Sequence, residues 1–337
     1  MTTAEPAHPP ATPPAAPTAE PAGRPPALSA QAAITVSGLR MSYGTYEAVR
    51  GIDFEVTRGE IFAFLGPNGA GKTTTVEICE GFRKRTGGEV RVLDDDPAAA
   101  GPDWRARVGV VLQESAPEPL LTVRECLAMY AGFYRAPRDI DETIALVGLT
   151  AKAGALGTRL SGGQRRRLDF ALALIGDPEL IFLDEPTTGF DPSARRAAWE
   201  VIAGLRALGK TVFLTTHYMD EAEYLADRIA VLSAGRIVAE GTPRTLGGRD
   251  RMNTSISFTL PDGLVPRDLP TGLSPLAEPG PAGLTVVHTE SPLVHLQMLG
   301  TWALGRGFDL PDLDVHRPTL EEVYLSLTGS TTAKDRR

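Results

Sequence analysis

From about residue 33 onward, short apolar runs rich in Val, Ile and Phe alternate with longer stretches whose apolar positions recur at helical spacing. The runs are Ile61–Leu65, Val108–Leu112, Leu180–Leu183, Thr211–Thr215 and Ile229–Ser233. Several are apolar on both faces, as strands are when helices cover a parallel sheet on either side. The pattern therefore predicts an α/β fold. Between Thr122 and about Ile175 the strand signal fades. Thr122 and Glu125 form a capping-box pattern ahead of Leu127, Met129 and Tyr130, which predicts a helical insert. Arg236–Glu240 reads as a hairpin return after Ser233-Ala234-Gly235, and Thr242-Pro243 predicts the start of a short helix.

Past Gly247-Gly248 the character changes. Ile256, Phe258 and Leu260 alternate as in a strand, and Leu293–Leu304 has helical spacing. Thr319 and Glu322 are spaced to cap a last helix carrying Leu320, Val323, Tyr324 and Leu327. Residues 1–30 hold 9 Pro and 9 Ala, too few apolar side chains to offset the entropy of ordering them. The expected organisation is a disordered tail over 1–32 and a main α/β domain over 33–247, with a helical subdomain near 115–175. A small α+β domain over 250–328 and a short tail over 329–337 follow.

The 337 residues are 42% hydrophobic and 23% charged, ordinary values for a chain that buries a core. The net charge of −8 argues against a broad nucleic-acid or anionic-lipid footprint, so no nucleic-acid partner is expected. The 2 cysteines, Cys79 and Cys126, make no disulfide framework and suit a reducing compartment. No run of 18 apolar residues predicts a membrane span, and no basic-then-apolar leader predicts secretion. Arginine greatly outnumbers lysine, so the position of Lys72 inside a motif is informative.

That motif is Gly66-Pro67-Asn68-Gly69-Ala70-Gly71-Lys72-Thr73-Thr74. It follows an apolar strand and opens a helix, where a glycine-rich backbone turns its N–H groups inward around phosphate oxygens. The helix N-terminus adds a favourable dipole, Lys72 reaches the β and γ phosphates, and Thr73 can ligate Mg2+. A phosphate loop alone does not choose among GTPases, kinases and motor ATPases. Leu180–Leu183 ends in Asp184-Glu185, placing Asp184 to hold Mg2+ and Glu185 to polarise an attacking water. His217 and Gln113 each lie at the end of an apolar strand, on the sheet edge where ligands collect. His217 suits a γ-phosphate contact, and Gln113 suits the metal or the water. Ser161-Gly162-Gly163-Gln164 has capping-box spacing, yet two glycines in a first helical turn cost about 1 kcal/mol each against alanine. That cost points to an anion approaching the helix N-terminus closely.

Together, the phosphate loop, Gln113, Leu160–Gln164, the acidic pair, Thr188-Gly189-Phe190-Asp191 and His217 resemble the ATP-binding subunit of ABC transporters over roughly residues 33–246. The resemblance implies a P-loop NTPase fold of ABC type that binds and hydrolyses ATP with Mg2+. It implies a homodimer packed head to tail around two ATP molecules, each between one subunit's phosphate loop and the other's signature. Ser161, Gly162, Gly163 and Gln164 would then meet the partner's nucleotide, with Ser161 and Gly163 on its γ-phosphate. Asp191 would lie in a loop at the interface, although Asp191-Pro192 also reads as a plain helix cap. Tyr43 would stack on adenine with Val49 beside it. Arg165–Asp169 and Arg317–Tyr324 look like the bacterial drug-exporter branch, which includes daunorubicin-resistance-like ATPases. That branch implies a separate ABC-2 type permease and a place on the cytoplasmic face of the membrane. Phe170 and Phe190 stand where the family usually has leucine. The alternative within the superfamily is a soluble ATPase serving ribosomes or DNA repair.

Overall fold

The computed structural model describes residues 32–111 and 118–334. The Pro/Ala-rich segment before Ala32 lies outside them, as do Gln113 and Leu112, the last residue of one expected strand. The chain opens with two long antiparallel strands, β1 (Ala32–Tyr43) and β2 (Tyr46–Thr57), followed by β3 (Ile61–Leu65) and α1 (Lys72–Cys79). Then come β4 (Gly87–Val92), α2 (Pro102–Arg105) and β5 (Val108–Val111). A helical stretch holds α3 (Val123–Ala131), α4 (Ile140–Leu146) and α5 (Gly162–Leu174). After it run β6 (Leu180–Asp184), α6 (Pro192–Ala207), β7 (Thr211–Thr216), α7 (Met219–Leu225), β8 (Arg228–Ser233) and β9 (Arg236–Gly241).

A six-stranded sheet with the order β5-β6-β7-β3-β8-β9 organises these elements. Its strands are parallel except β9, which returns antiparallel to β8. Strand alternation sorts its side chains into two cores. Ile61, Ala63, Leu65, Ile181, Leu183, Val212 and Leu214 pack against the helices on one face. Phe62, Phe64, Phe182 and Phe213 turn to the other face and meet Phe54 of β2. There the Phe54–Phe64 and Phe182–Phe213 ring centroids stand 5.4 and 5.7 Å apart. That second face is covered by the antiparallel sheet β2-β1-β4, which the apolar runs did not predict. With all the parallel strands pointing one way, their carboxyl ends share one edge. There the phosphate loop, Asp184-Glu185 and His217 emerge.

Beyond residue 250 the strands β10 (Thr254–Phe258), β11 (Ala277–Pro279), β12 (Thr285–Thr289) and β13 (Asp314–His316) form a second antiparallel sheet. Helix α8 (Pro292–Arg306) lies against it, over a third core built on Ile256, Phe258, Val287, Leu299 and Ala303. Leu260 lies past the end of β10. The expected helix at Thr242-Pro243 does not form. Thr242 and Thr245 instead exchange backbone-to-hydroxyl bonds of 3.1 and 3.2 Å, closing a turn, and a 3-10 stretch, Leu246–Arg251, follows. These bonds form the same reciprocal box that starts α5, and the Leu246 N–H still reaches the Thr242 carbonyl at 2.9 Å. Gly247 and Gly248, however, take φ of +60 and +81 and stop a helix from continuing.

Helix α9 (Leu320–Lys334) runs past the expected boundary at 328. It starts on the predicted cap, where Glu322 Oε2 accepts the Thr319 N–H at 2.7 Å. Leu320 and Tyr324 belong to the first core, so α9 returns from the second sheet and fastens onto the main one. Leu320 is fully buried. Replacing it by alanine should cost about 2–5 kcal/mol, the usual range for a buried leucine. A thermal melt of Leu320→Ala that matched the wild-type midpoint would show that α9 contributes no stability there.

Candidate functional site

The phosphate loop is shaped by backbone crowding. A Cβ on Gly66 would stand 2.4 Å from the Leu232 carbonyl oxygen, and one on Gly71 would stand 2.6 Å from that of Ala48. Gly71 also sits at φ +105, a conformation open to glycine at little cost. The loop is thus wedged between β8 and β2, and α1 begins directly after it. Lys72 is buried and folds back, its ammonium donating to the carbonyls of Gly66 at 2.7 Å and Pro67 at 3.3 Å. Burial lowers the Lys72 pKa, and the Glu185 carboxylate opposes that shift. Lys72 Nζ and Glu185 Oε1 stand 3.6 Å apart, an ion pair too long to be a good hydrogen bond.

Asp184 ends β6, nearly buried, and its Oδ1 accepts a short hydrogen bond from the Thr215 hydroxyl. Burial raises the Asp184 pKa, the Thr215 bond works against this, and Glu185 adds to it. Glu185 sits at φ +44, uncommon for a residue with a side chain. Its N–H is shared between the Thr215 hydroxyl at 3.0 Å and the Thr215 carbonyl at 3.1 Å. This turn swings the Glu185 carboxylate toward Lys72 and His217. His217 Nδ1 lies 3.2 Å from Glu185 Oε2, close but not aligned as a hydrogen bond.

A cavity of about 420 Å3 opens beside this cluster, walled by Tyr43, Tyr46 and Ala48 on one side and by Asn68, Gly69, the run Gly71–Thr74 and Glu185 on the other. Larger cavities of about 680 and 600 Å3 lie beside Arg244 and Arg317, and beside Glu80 and Trp104. Neither holds the phosphate loop or the acidic pair, so size does not select the site; chemistry does. Tyr43 is exposed at the cavity, its hydroxyl 3.3 Å from Thr74 Oγ1 and its ring 5.2 Å from the Arg83 guanidinium. Val49 is not in the wall. It is fully buried in the second core, because period-two alternation turns Tyr46 and Ala48 to the cavity and Val49 away from it. Ala70 likewise packs inward, leaving only its backbone to the loop.

The signature residues stand at the N-terminus of α5. Ser161 Oγ accepts the Gln164 N–H at 3.3 Å and Gln164 Oε1 accepts the Ser161 N–H at 3.0 Å, a closed capping box. None of Ser161, Gly162, Gly163 and Gln164 lines the cavity of their own chain. Asp191 caps α6, its Oδ1 accepting the N–H groups of Ser193 and Ala194, both at 2.9 Å. Gln113 lies outside the described residues.

Sequence reasoning passed over two buried charges that brace the site. Arg166 of α5 donates from Nε to the Pro186 carbonyl at 3.0 Å, tying the signature helix to the loop after the acidic pair. It sits between two other arginines in sequence, and its burial alone distinguishes it. Glu221 of α7 is fully buried and accepts from the Thr187 hydroxyl at 2.7 Å and from Trp199 Nε1 at 3.0 Å. Burial raises its pKa, and those donors, with Thr216, oppose the shift.

The donor set fits Mg2+. The Thr73 hydroxyl and the Asp184 carboxylate are hard oxygen ligands, and Mg2+ is commonly held by one or two such groups together with substrate phosphates. Among the described residues no group of three or more His, Cys, Asp or Glu could cage a metal without the nucleotide.

Against known proteins, residues 49–188 match the family described as ABC transporter. Residues 254–319 match the ABC transporter domain-containing protein-like, C-terminal domain. The Nod factor export ATP-binding protein I of Paraburkholderia xenovorans (strain LB400) is 39% identical, covering 89% of this chain and 98% of its own length. The daunorubicin resistance ATP-binding protein DrrA3 of Streptomyces coeruleorubidus is 37% identical, covering 89% and 97%. Among solved structures, a dimeric ATP-binding cassette in a post-hydrolysis state with ADP and Pi aligns at TM-score 0.56 and 26% identity. That alignment covers 62% of this chain and 98% of the other.

Just behind the site, Glu80 follows α1 with its carboxyl nearly buried and its pKa pushed up to about 8, by burial first and then by Asp184 and Glu77. A raised carboxyl pKa supports the fold only while the group keeps its proton, so the contribution fades as pH rises from the unfolded value of 4.5 toward 8. Glu80→Gln should therefore gain stability over wild type through that window and hold a constant advantage above it. Melting midpoints of the two proteins measured from pH 4.5 to 9 test this, and a difference flat with pH would place the Glu80 carboxyl in water.

Proposed function

The chain belongs to the ABC transporter family as an ATP-hydrolysing, ATP-binding subunit, and from that premise we propose that it powers export of a drug-like or antibiotic compound through a separate ABC-2 type permease. Two copies would pack head to tail, each enclosing one ATP between its own phosphate loop and the other's signature. The observation that carries this reading is the separation of the two half-sites. The signature lies outside the nucleotide cavity of its own chain. A Cβ on Gly162 would meet nothing within 4 Å, so no neighbour in the chain requires a glycine there. A ligand from outside the chain supplies the missing reason.

In this mechanism Tyr43 stacks on the base while the loop amides and Lys72 take the phosphates. Thr73 and Asp184 hold Mg2+, with Gln113 as a third candidate ligand. Bound there, the metal neutralises charge on the β- and γ-phosphates. Glu185 draws the proton from the attacking water, and His217, beside it, meets the γ-phosphate. The phosphate gives the closed dimer its advantage over the open one, and hydrolysis removes that advantage. The helical stretch α3–α5 and Gln113 pass the motion to the permease.

Export is supported by the two relatives, named for Nod factor export and for daunorubicin resistance. Their different cargoes agree with a substrate path that runs through the permease. Among the described residues no helix is long and apolar enough to cross a membrane. The separate permease, with this subunit on its cytoplasmic face, is supported by the exporter relatives. Residues 33–247 form the engine in this reading, and the domain over 250–328 is compatible with dimer support, regulation or partner contact.

Glu185→Gln should bind ATP as tightly as wild type while hydrolysis falls by roughly 10²–10⁴-fold. Equilibrium nucleotide binding and steady-state phosphate release measure the two arms, and near-normal turnover would remove Glu185 from the chemistry. The same variant with ATP, captured from gently solubilised membranes, should bring down a polytopic membrane protein. Ribosomes or DNA-repair proteins in its place would select the soluble alternative.

A further inference from the structure

We propose that Arg195 and Tyr218 are positioning residues that clamp the His217 imidazole against Glu185. The inference rests on the reading above, in which Glu185 and His217 carry hydrolysis.

His217 lies in the short turn between β7 and α7, where strand and helix geometry no longer fix its ring. Its contact with Glu185 is close at 3.2 Å but misaligned, so that contact does not set the orientation of the imidazole. The neighbouring ring is better placed to do so. The His217 and Tyr218 ring centroids are 4.1 Å apart, with their planes inclined by 40°. On Tyr218, in turn, stands the Arg195 guanidinium, with its central carbon 4.1 Å from the ring centroid. A cation over the face of a tyrosine is attracted by the ring quadrupole, more strongly as water is excluded.

Arg195 Nη1 also donates to Asp220 Oδ2 at 3.5 Å, a long ion pair, and its charge bears on the buried Glu221 carboxylate. Its buried Nε has no hydrogen-bond partner, so the guanidinium is held by the Tyr218 face and by these carboxylates together. The base of the turn is fixed separately, by the Tyr218 N–H donating to Thr216 Oγ1 at 3.0 Å. Arg195 projects from the first turns of α6, the helix capped by Asp191, so the clamp joins the start of α6 to the turn that carries His217. Neither Arg195 nor Tyr218 belongs to the buried cores. Both are half-buried, so the thermal midpoint measured beside turnover separates an effect on positioning from one on folding.

The test is a set of cycles in the full-length protein, measuring kcat and KM for Mg·ATP beside the thermal midpoint. Tyr218→Leu should lower kcat by about ten- to a hundredfold, the scale on which small misplacements act, with KM little changed. Tyr218→Phe keeps the ring and should restore turnover. Arg195→Gln should lower kcat as well, and Arg195→Lys, which keeps the cation, should recover part of it. In a His217→Ala background, Tyr218→Leu and Arg195→Gln should cause no further loss, because the group they position is gone. Losses that multiply in that background, or a raised KM at unchanged kcat, would overturn the clamp. His217→Ala turning over at the wild-type rate would sink the site reading itself, a different failure seen in the single variant.

Discussion

One hydroxyl holds the catalytic edge of the sheet together. Thr215 Oγ1 donates to Asp184 on the neighbouring strand and accepts the N–H of Glu185 one residue later. β6 and β7 run parallel with Asp184 opposite Thr215, so the register of two strands places that hydroxyl between two successive acidic residues. Glu185 takes a left-handed backbone that costs a residue with a side chain about 1–2 kcal/mol, and its N–H remains fully bonded there. Without that turn, alternation along a strand would send the two carboxylates to opposite faces. With it, Glu185 reaches Lys72 and His217 while Asp184 stays at the sheet edge. The meeting of Glu185 with Lys72 and His217 thus follows from a local backbone departure that one threonine stabilises.

How much of this was legible from the residues depends on the length over which each signal acts. Ile61–Leu65 was readable in full, because a strand buried on both faces leaves a continuous apolar run between turn residues. The capping boxes at Thr122, Ser161 and Thr319 were readable because each is closed within four residues. The antiparallel sheet β2-β1-β4 was not. Its strands mix half-exposed polar positions with positive-φ glycines at Gly38, Gly51 and Gly88, and its register shifts repeatedly. No single period survives such interruptions. The burial of Val49 was not legible for a related reason, since its sequence position does not say which face of the strand it takes. Thr242-Pro243 carries a good helix-start pattern and its box closes, yet the left-handed backbone of Gly247 and Gly248 ends the helical path at once. Arg166 and Glu221 are charged residues among other charged residues, and only burial in three dimensions marks them.

The tie between the two sheets is more than contact between neighbours. The second sheet keeps its own core on Ile256 and Phe258, but Leu320 and Tyr324 of α9 enter the first. Arg249 reinforces the junction, donating to the carbonyls of Pro318 at 2.7 Å and Pro243 at 2.8 Å and pairing with Glu223 of α7 at 2.8 Å. Helix α7 is also the helix that follows His217 and carries the buried Glu221. The C-terminal region is therefore anchored in part on α7, the element beside the His217 turn.

The signature helix carries glycines that have no cause within their own chain. Its first turn spends two glycines, although a Cβ at Gly162 would meet open space and one at Gly163 would meet only the Ala194 methyl at 3.4 Å. Compare Gly66 and Gly71, where the chain's own carbonyls forbid a side chain. A residue that lowers helix propensity without relieving an internal clash needs a cause outside the fold. The uncapped amides of a helix N-terminus, bare of side chains, form a surface that an anion can approach closely. Arg166 binds that same helix to the loop after Asp184-Glu185, so whatever settles on the signature is mechanically joined to the hydrolytic centre of its own chain. Two such chains facing each other would each read the other's nucleotide through α5 and answer through the Pro186 loop, and this makes hydrolysis a property of the pair.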